Sequence, residues 1–112
     1  MRRVVITGMG IVSSIGNKCS EGAASLRCGR SGIVLADEYR DLNFRSQVHG
    51  SIDIDLDQLI ERKLKRFMGG SAAYNYIAMR EAVEDSGLTE ADVSNPRTGL
   101  VVGSGGGTPE NI

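Results

Sequence analysis

The sequence has few of the residues that mark several common classes of protein. Among its 112 residues there are two cysteines, one histidine, two prolines and no tryptophan. Two cysteines are too few for a disulfide scaffold, and the spacing of Cys19 and Cys28 matches no common metal-binding pattern. We therefore expect structural thiols in a reducing, cytoplasmic environment, with no metal site.

The sequence also lacks long apolar runs and an excess of charge of one sign. No run approaches the roughly 18 apolar residues that indicate a membrane span. The 13 Lys and Arg residues against 14 Asp and Glu residues give a net charge of −1, which does not favour general capture of nucleic acid or anionic lipid. We predict a soluble chain of at most one domain, with no membrane or nucleic-acid partner, in which charge-based recognition is local.

Glycine, in contrast, is abundant, with 15 residues, and it ends two apolar segments that resemble strands. Residues 3–8 and 98–103 are rich in β-branched or aliphatic residues and finish at a glycine, a pattern typical of strands covered on both faces. A period-two alternation over 44–54 predicts a half-exposed strand or hairpin arm. Two buried strands make an incomplete sheet, so we expect the sequence to be truncated.

Between the two buried strands the pattern is helical. The predicted helices cover 17–29, with Asn17 or Ser20 as the N-cap, 57–68, and a longer stretch from Ser71 to Gly87. Strand, helices and strand together predict an α/β fold containing a parallel βαβ-type unit. The apolar stripes of the last two helices are predicted to be Leu56, Leu59, Ile60, Leu64 and Phe67, and Ala72, Tyr76, Met79 and Val83.

The first glycines only partly match a dinucleotide-binding loop. Gly8 and Gly10 satisfy its opening, but Ser13 stands where the third glycine is required. No acidic residue follows at the expected distance. We therefore favour a structural turn, and a nucleotide-dependent dehydrogenase remains the less favoured alternative.

Two further motifs leave their function open. Arg62, Lys63, Lys65 and Arg66 place four cations on about one helical turn, which is either solvated surface or a docking patch for an acidic partner. The loop at 104–107, which contains three consecutive glycines, either forms a tight turn or leaves room for a ligand. His49 has no companion group at useful spacing, and we expect it at the surface.

Several blocks resemble the β-ketoacyl-acyl carrier protein synthases, the decarboxylating condensing enzymes of bacterial fatty acid synthesis. The opening segment at 3–16 looks like the start of these enzymes. The loop at 103–107 most resembles the synthase I branch, because synthase II typically carries a bulky aliphatic residue there. The other blocks that agree in order and spacing are Arg30–Ile33, Glu61–Met68 and Asp85–Leu88.

The resemblance implies a thiolase-like fold, a homodimer, no cofactor, acyl and malonyl thioester substrates and acyl carrier protein as partner. By position, Lys63 and Arg66, with Arg62 nearby, match residues that dock the carrier protein, and Gly107 matches the wall of the acyl pocket. The family's nucleophilic cysteine and its two histidines lie beyond the matched part. No catalytic residue is therefore expected in this chain.

The expected function is thus that of the N-terminal part of a synthase. Such an enzyme condenses an acyl thioester with malonyl-acyl carrier protein and releases carbon dioxide, and these 112 residues should be inactive alone. The alternative is a non-catalytic carrier-binding module or a decayed synthase fragment.

Overall fold

A computed structural model describes residues 2–105 of the chain. These residues form an α/β structure with six helices and two strands. No helix among them has both the length and the apolarity needed to cross a membrane. The elements are α1 (Cys19–Arg27), β1 (Ile33–Leu35), α2 (Asp37–Asp41), β2 (Val48–Gly50), α3 (Leu56–Leu59), α4 (Arg62–Lys65), α5 (Gly70–Ser86) and α6 (Glu90–Val93).

The chain divides into two compact units, one of which is Ile11–Ile54. In this unit β1 and β2 pair antiparallel, with Val34 opposite His49. The predicted strand at 44–54 is therefore confirmed over its central residues. The side chain of Ser25 on α1 is almost fully buried, and its hydroxyl donates a 2.6 Å hydrogen bond to the Ile15 carbonyl. Helix α1 thereby holds the turn that precedes it.

The predicted N-caps of α1 are wrong. Lys18 occupies the cap position and makes no side-chain cap bond. The Glu21 carboxylate instead accepts a 2.8 Å hydrogen bond from the Asn17 backbone amide. An acidic side chain in the first turn thus satisfies a backbone donor at the start of the helix.

The second unit comprises, among the residues that the structure describes, 2–10 and 55–105. Its longest element, α5, ends as predicted, because Gly87 adopts the left-handed conformation with φ of 69°. The predicted apolar stripe of α5 is wrong: Ala73 and Ile77 are buried, whereas Tyr76 is 37% exposed. The buried face is therefore rotated from the one that the periodicity indicated.

The predicted buried strands at 3–8 and 98–103 are not formed. Val4 is 90% exposed and Val101 is 96% exposed, and the one sheet within residues 2–105 is antiparallel. The prediction of an α/β class is confirmed, but the parallel βαβ unit is absent from the part of the chain that the structure describes. A strand covered on both faces needs neighbouring strands to pair with its backbone groups. Residues 2–105 provide no such strands for these two segments.

Candidate functional site

The basic turn, residues 62–66, comprises α4 and its C-cap and follows a break between α3 and α4. The Asp55 carboxylate caps α3 by accepting from the backbone amides of Asp57 and Gln58, at 3.0 and 3.3 Å. Ile60 then leaves the helix in an extended conformation, with φ of −125° and ψ of 131°. The single helix predicted for 57–68 is therefore wrong, since α3 and α4 are separate.

Burial and one charged contact explain this break. Ile60 is only 3% exposed, so the extended residue contributes to the core of its unit. The Arg80 guanidinium on α5 donates a 2.9 Å hydrogen bond to the Leu59 carbonyl, one of the acceptors that a helix end leaves without an intrahelical partner. The break is thus fixed on one side by apolar burial and on the other by Arg80.

Three cations of the basic turn project into solvent. Arg62, Lys63 and Arg66 are exposed, and none of them forms an ion pair within residues 2–105. At 3.6 residues per turn they fall within an arc of roughly 100° on the helix surface. We call these three residues the basic patch. Because no ion pair among the described residues neutralises these cations, the patch is a local positive surface on a chain of net charge −1.

The fourth cation is not part of this patch. The ammonium of Lys65 forms a 2.6 Å ion pair with the Asp57 carboxylate, and its side chain is 30% exposed. The sequence placed four cations together, whereas the structure brings three of them to one surface. The sequence interpretation did not consider Asp57, which lies eight residues before Lys65. Asp57 reaches Lys65 because the chain turns between α3 and α4.

An exposed aromatic ring borders the basic patch. The guanidinium carbon of Arg66 lies 4.6 Å from the centroid of the Phe67 ring, within the range of a cation–π contact. Phe67 is 77% exposed, which contradicts its predicted place in a buried stripe. The patch therefore offers a partner both positive charge and apolar area.

The other residues singled out by the sequence are placed as follows. His49 is exposed, as predicted, and its ring lies 5.5 Å from that of Tyr39 in an edge-to-face arrangement. Cys19 is partly buried and Cys28 is exposed, and they are not joined by a disulfide. Gly107 lies outside the described residues.

The structure supports the structural interpretation of the first glycines. A Cβ atom on Gly8 would collide with the carbonyl oxygen of Ala82, and one on Gly10 with that of Ala78. Both glycines therefore permit a close approach to the backbone of α5. The space that a dinucleotide loop keeps for a pyrophosphate is filled at these positions by a helix of the same chain.

A polar cleft of about 270 Å³ lies within Ile11–Ile54, and no pattern in the sequence indicated it. The Asn17 side-chain amide donates to the Asp53 carbonyl, and Glu21 accepts from the Asn17 backbone. Asn17 and Glu21 therefore have a structural role in this cleft. Its lining is formed by Ser13, Ser14, Ile15, Gly16, Asn17, Glu21, Arg30, Ser51 and Asp53.

Comparison with known proteins identifies the family. Residues 1–112 match the family model described as beta-ketoacyl synthase, N-terminal domain. The chain belongs to the β-ketoacyl synthase family. The resemblance drawn from the sequence blocks is thereby confirmed.

Relatives in this family are similar over nearly the whole chain. Identity is 56% over 111 residues to 3-oxoacyl-(acyl-carrier-protein) synthase 1 of Haemophilus influenzae, covering 99% of this chain and 27% of that protein. It is 52% over 110 residues to the synthase 1 of Escherichia coli, covering 97% of this chain and 27% of the relative. The chain thus spans about a quarter of the length of these β-ketoacyl synthases.

A relative from another branch is less similar. Identity to 3-oxoacyl-(acyl-carrier-protein) synthase 2 of Vibrio cholerae is 37% over 112 residues, covering 99% of this chain and 27% of that protein. Within the β-ketoacyl synthase family, the chain is therefore more similar to these synthases 1 than to this synthase 2. This difference in identity agrees with the resemblance of the glycine loop of the chain to that of synthase I.

Proposed function

We propose that this chain is the N-terminal part of a synthase that condenses an acyl thioester with malonyl-acyl carrier protein and releases carbon dioxide. Family membership and the identity to the synthases 1 support this activity. The contribution of the chain itself is docking: the basic patch of Arg62, Lys63 and Arg66 binds the acidic surface of the carrier protein. The nucleophile and the residues that assist decarboxylation belong to other parts of the enzyme.

The exposure of three unneutralised cations on one turn carries the docking proposal. Like charges this close repel one another, so their clustering does not stabilise the short helix α4. An acidic partner would remove that repulsion and would gain from electrostatic steering. Phe67, exposed beside Arg66, adds apolar area that is buried only when a partner covers it.

Charge reversal in the full-length protein tests the docking role. We expect Lys63→Glu combined with Arg66→Glu to weaken carrier binding at low salt without unfolding the protein, because both side chains are exposed. The matched control, Arg27→Glu with Arg97→Glu, makes the same change in net charge at two exposed positions that are not part of the patch. Unchanged affinity in the first variant, or equal loss in both, would reject the docking surface.

The remaining structural expectations belong to the same proposal. The complete synthase is expected to be a cytoplasmic homodimer with a thiolase-like fold, in which residues 3–8 and 98–103 pair with further strands. The exposed apolar side chains of these two segments support this arrangement, because strands with this pattern are covered on both faces. Hydrogen exchange at their backbone amides tests it, since paired strands are protected and solvated segments are not.

Gly107 is proposed as part of the acyl-pocket wall. A residue without a side chain leaves room for an acyl chain, and its place in a loop resembling that of synthase I supports the role. We expect Gly107→Met to raise KM for long acyl thioesters more than for short ones. An equal effect on both lengths would show that position 107 does not face the acyl chain.

A carrier-binding module without catalysis would share the docking surface but not the reaction. Intact mass and condensation activity of the protein purified from its native source distinguish the two proposals. A polypeptide close to the length of the relatives that forms condensation product supports the synthase. A mass near 11.9 kDa with carrier binding and no product supports the module.

A further inference from the structure

The ion pair between Asp57 and Lys65 lies at the edge of the basic patch. Asp57 lies in the first turn of α3 and Lys65 ends α4, so the pair crosses the break between the two helices. Its N–O distance is 2.6 Å, and the Asp57 side chain is 78% exposed. This pair removes one of the four cations of the turn from the surface that faces solvent.

We propose that Asp57 limits the affinity of the patch for an acidic protein by holding Lys65. This inference rests on the proposed docking function and gives two residues outside the patch a role in setting its affinity. When a neutral side chain replaces Asp57, Lys65 is released and the turn presents four cations instead of three. Binding then gains one more charge interaction, and the partner no longer meets the carboxylate of Asp57.

The pair is weak enough for this competition to operate. Ion pairs between exposed side chains typically contribute little, because water and salt screen them and because both side chains lose freedom. The Lys65 ammonium can therefore exchange Asp57 for a carboxylate of a docked partner. The energy of such a pair corresponds to about a two- to fivefold change in the dissociation constant.

Glu61 provides a matched control for the loss of negative charge. It is exposed, directly precedes Arg62, and forms no ion pair within residues 2–105. Its side chain makes no cap hydrogen bond to α4. Glu61→Gln therefore removes one carboxylate beside the patch without releasing a lysine.

A double-mutant cycle in the full-length protein tests the inference. The dissociation constant for acyl carrier protein is measured at low and high salt for Asp57→Asn, Lys65→Gln, the double variant and Glu61→Gln. We expect Asp57→Asn to bind about two- to fivefold more tightly than wild type at low salt, and more tightly than Glu61→Gln. Lys65→Gln should have little effect in wild type but should abolish the excess gain of Asp57→Asn. High salt should abolish the gain as well.

Two results would overturn the inference. One is a gain for Asp57→Asn no larger than that of Glu61→Gln, which shows a general charge effect. The other is a Lys65→Gln loss that is equal with and without Asp57, which shows that Lys65 already takes part in docking. Asp57→Ser serves as a second variant that removes the carboxylate, with thermal unfolding as the check on folding.

The same measurements separate this inference from the docking proposal. If wild type does not bind the carrier protein, or if reversal of Lys63 and Arg66 leaves binding unchanged, the docking proposal fails and the inference fails with it. If the reversal weakens binding but Asp57→Asn brings no excess gain, only the role of Asp57 is rejected.

Discussion

The carbonyl oxygen of Ala78 on α5 lies so close to the Cα of Gly10 that a Cβ atom there would collide with it. One residue earlier, the Met9 backbone amide donates a 3.0 Å hydrogen bond to the Asp85 carboxylate, which lies on the same helix. The segment that precedes Ile11 is therefore held along α5 by a close backbone approach and a side-chain acceptor. A motif that resembles a nucleotide loop serves here as a packing contact.

Gly10→Ala should therefore destabilise the protein. The new methyl group would meet the Ala78 backbone, which cannot move without disturbing the helix, and such overpacking typically costs about 1–3 kcal/mol. Urea unfolding measures the loss. Gly105→Ala is the control, because nothing lies within 4 Å of the added Cβ. Equal stability of the two variants would show that the approach to Ala78 is not maintained.

Ser25→Ala should also destabilise the protein, by removing a buried donor. Ser25 is 1% exposed, and its hydroxyl donates to the Ile15 carbonyl at 2.6 Å. An acceptor left without its partner typically costs about 1–3 kcal/mol. Ser20→Ala on the exposed side of α1 is the matched control and should leave the midpoint of thermal unfolding nearly unchanged. A midpoint that shifts equally in both variants would reject the role of the hydrogen bond.

Features that depend on neighbouring residues could be predicted from the sequence. The end of α5 followed from Gly87, because a left-handed C-terminal residue is a local requirement that glycine meets at little steric cost. The exposure of His49 and the basic character of the turn at 62–66 were also predicted from the sequence. The break at Ile60 could not be predicted, since it depends on Arg80, which lies 21 residues from the Leu59 carbonyl that it contacts.

Two predictions that required partners distant in the sequence were wrong. The segments 3–8 and 98–103 have the composition of buried strands, but composition does not supply the neighbours that a strand needs for pairing. For the same reason Lys65 could not be separated from the basic patch. In the sequence, its partner Asp57 does not differ from other exposed acidic residues. The turn between α3 and α4 brings the two charges together.

Gly87→Ala should destabilise α5 at its C-terminus. Gly87 has φ of 69°, and a residue with a Cβ atom in this conformation costs about 1–2 kcal/mol. Gly87→Asn is the informative comparison, because asparagine tolerates the left-handed region better than alanine. We expect urea midpoints in the order glycine, asparagine, alanine, from highest to lowest. A variant with alanine as stable as wild type would contradict the assigned conformation.

Asp92 should contribute to stability in a pH-dependent way. The Thr89 hydroxyl, 2.6 Å from the carboxylate, and the Thr89 backbone amide, at 2.9 Å, lower the pKa of Asp92 below its ordinary value of 3.8. Since the folded pKa is depressed, this contribution is complete above pH 3.8 and is lost as the pH falls through the folded value. NMR titration of the Asp92 carboxyl should show the lower pKa.

Thr89→Ala provides the variant for this titration. It removes the hydroxyl donor but keeps the backbone amide, so the pKa of Asp92 should rise toward its ordinary value. Thr89→Ser keeps a hydroxyl and should retain most of the depression. If the alanine and serine variants titrate alike, the hydroxyl is not the main cause of the lowered pKa.

Arg80→Ala should link the fold to the proposed docking function. Loss of the hydrogen bond to Leu59 leaves a helix-end carbonyl without its donor, and the cost is about 1 kcal/mol because the site is partly exposed. The turn that presents Arg62, Lys63 and Arg66 then loses one of its two anchors. We expect weaker carrier binding together with a small fall in the unfolding midpoint.

Glu84→Gln is the control for Arg80. It removes the long ion pair, in which the Arg80 nitrogen and the Glu84 oxygen are 4.0 Å apart, but leaves the bond to Leu59 intact. Carrier affinity should therefore stay near that of wild type in this variant. If Arg80→Ala lowers stability but leaves carrier affinity unchanged, Ile60 alone positions the basic patch. If both variants weaken binding equally, the cause is the ion pair, and the hydrogen bond to Leu59 has no part in docking.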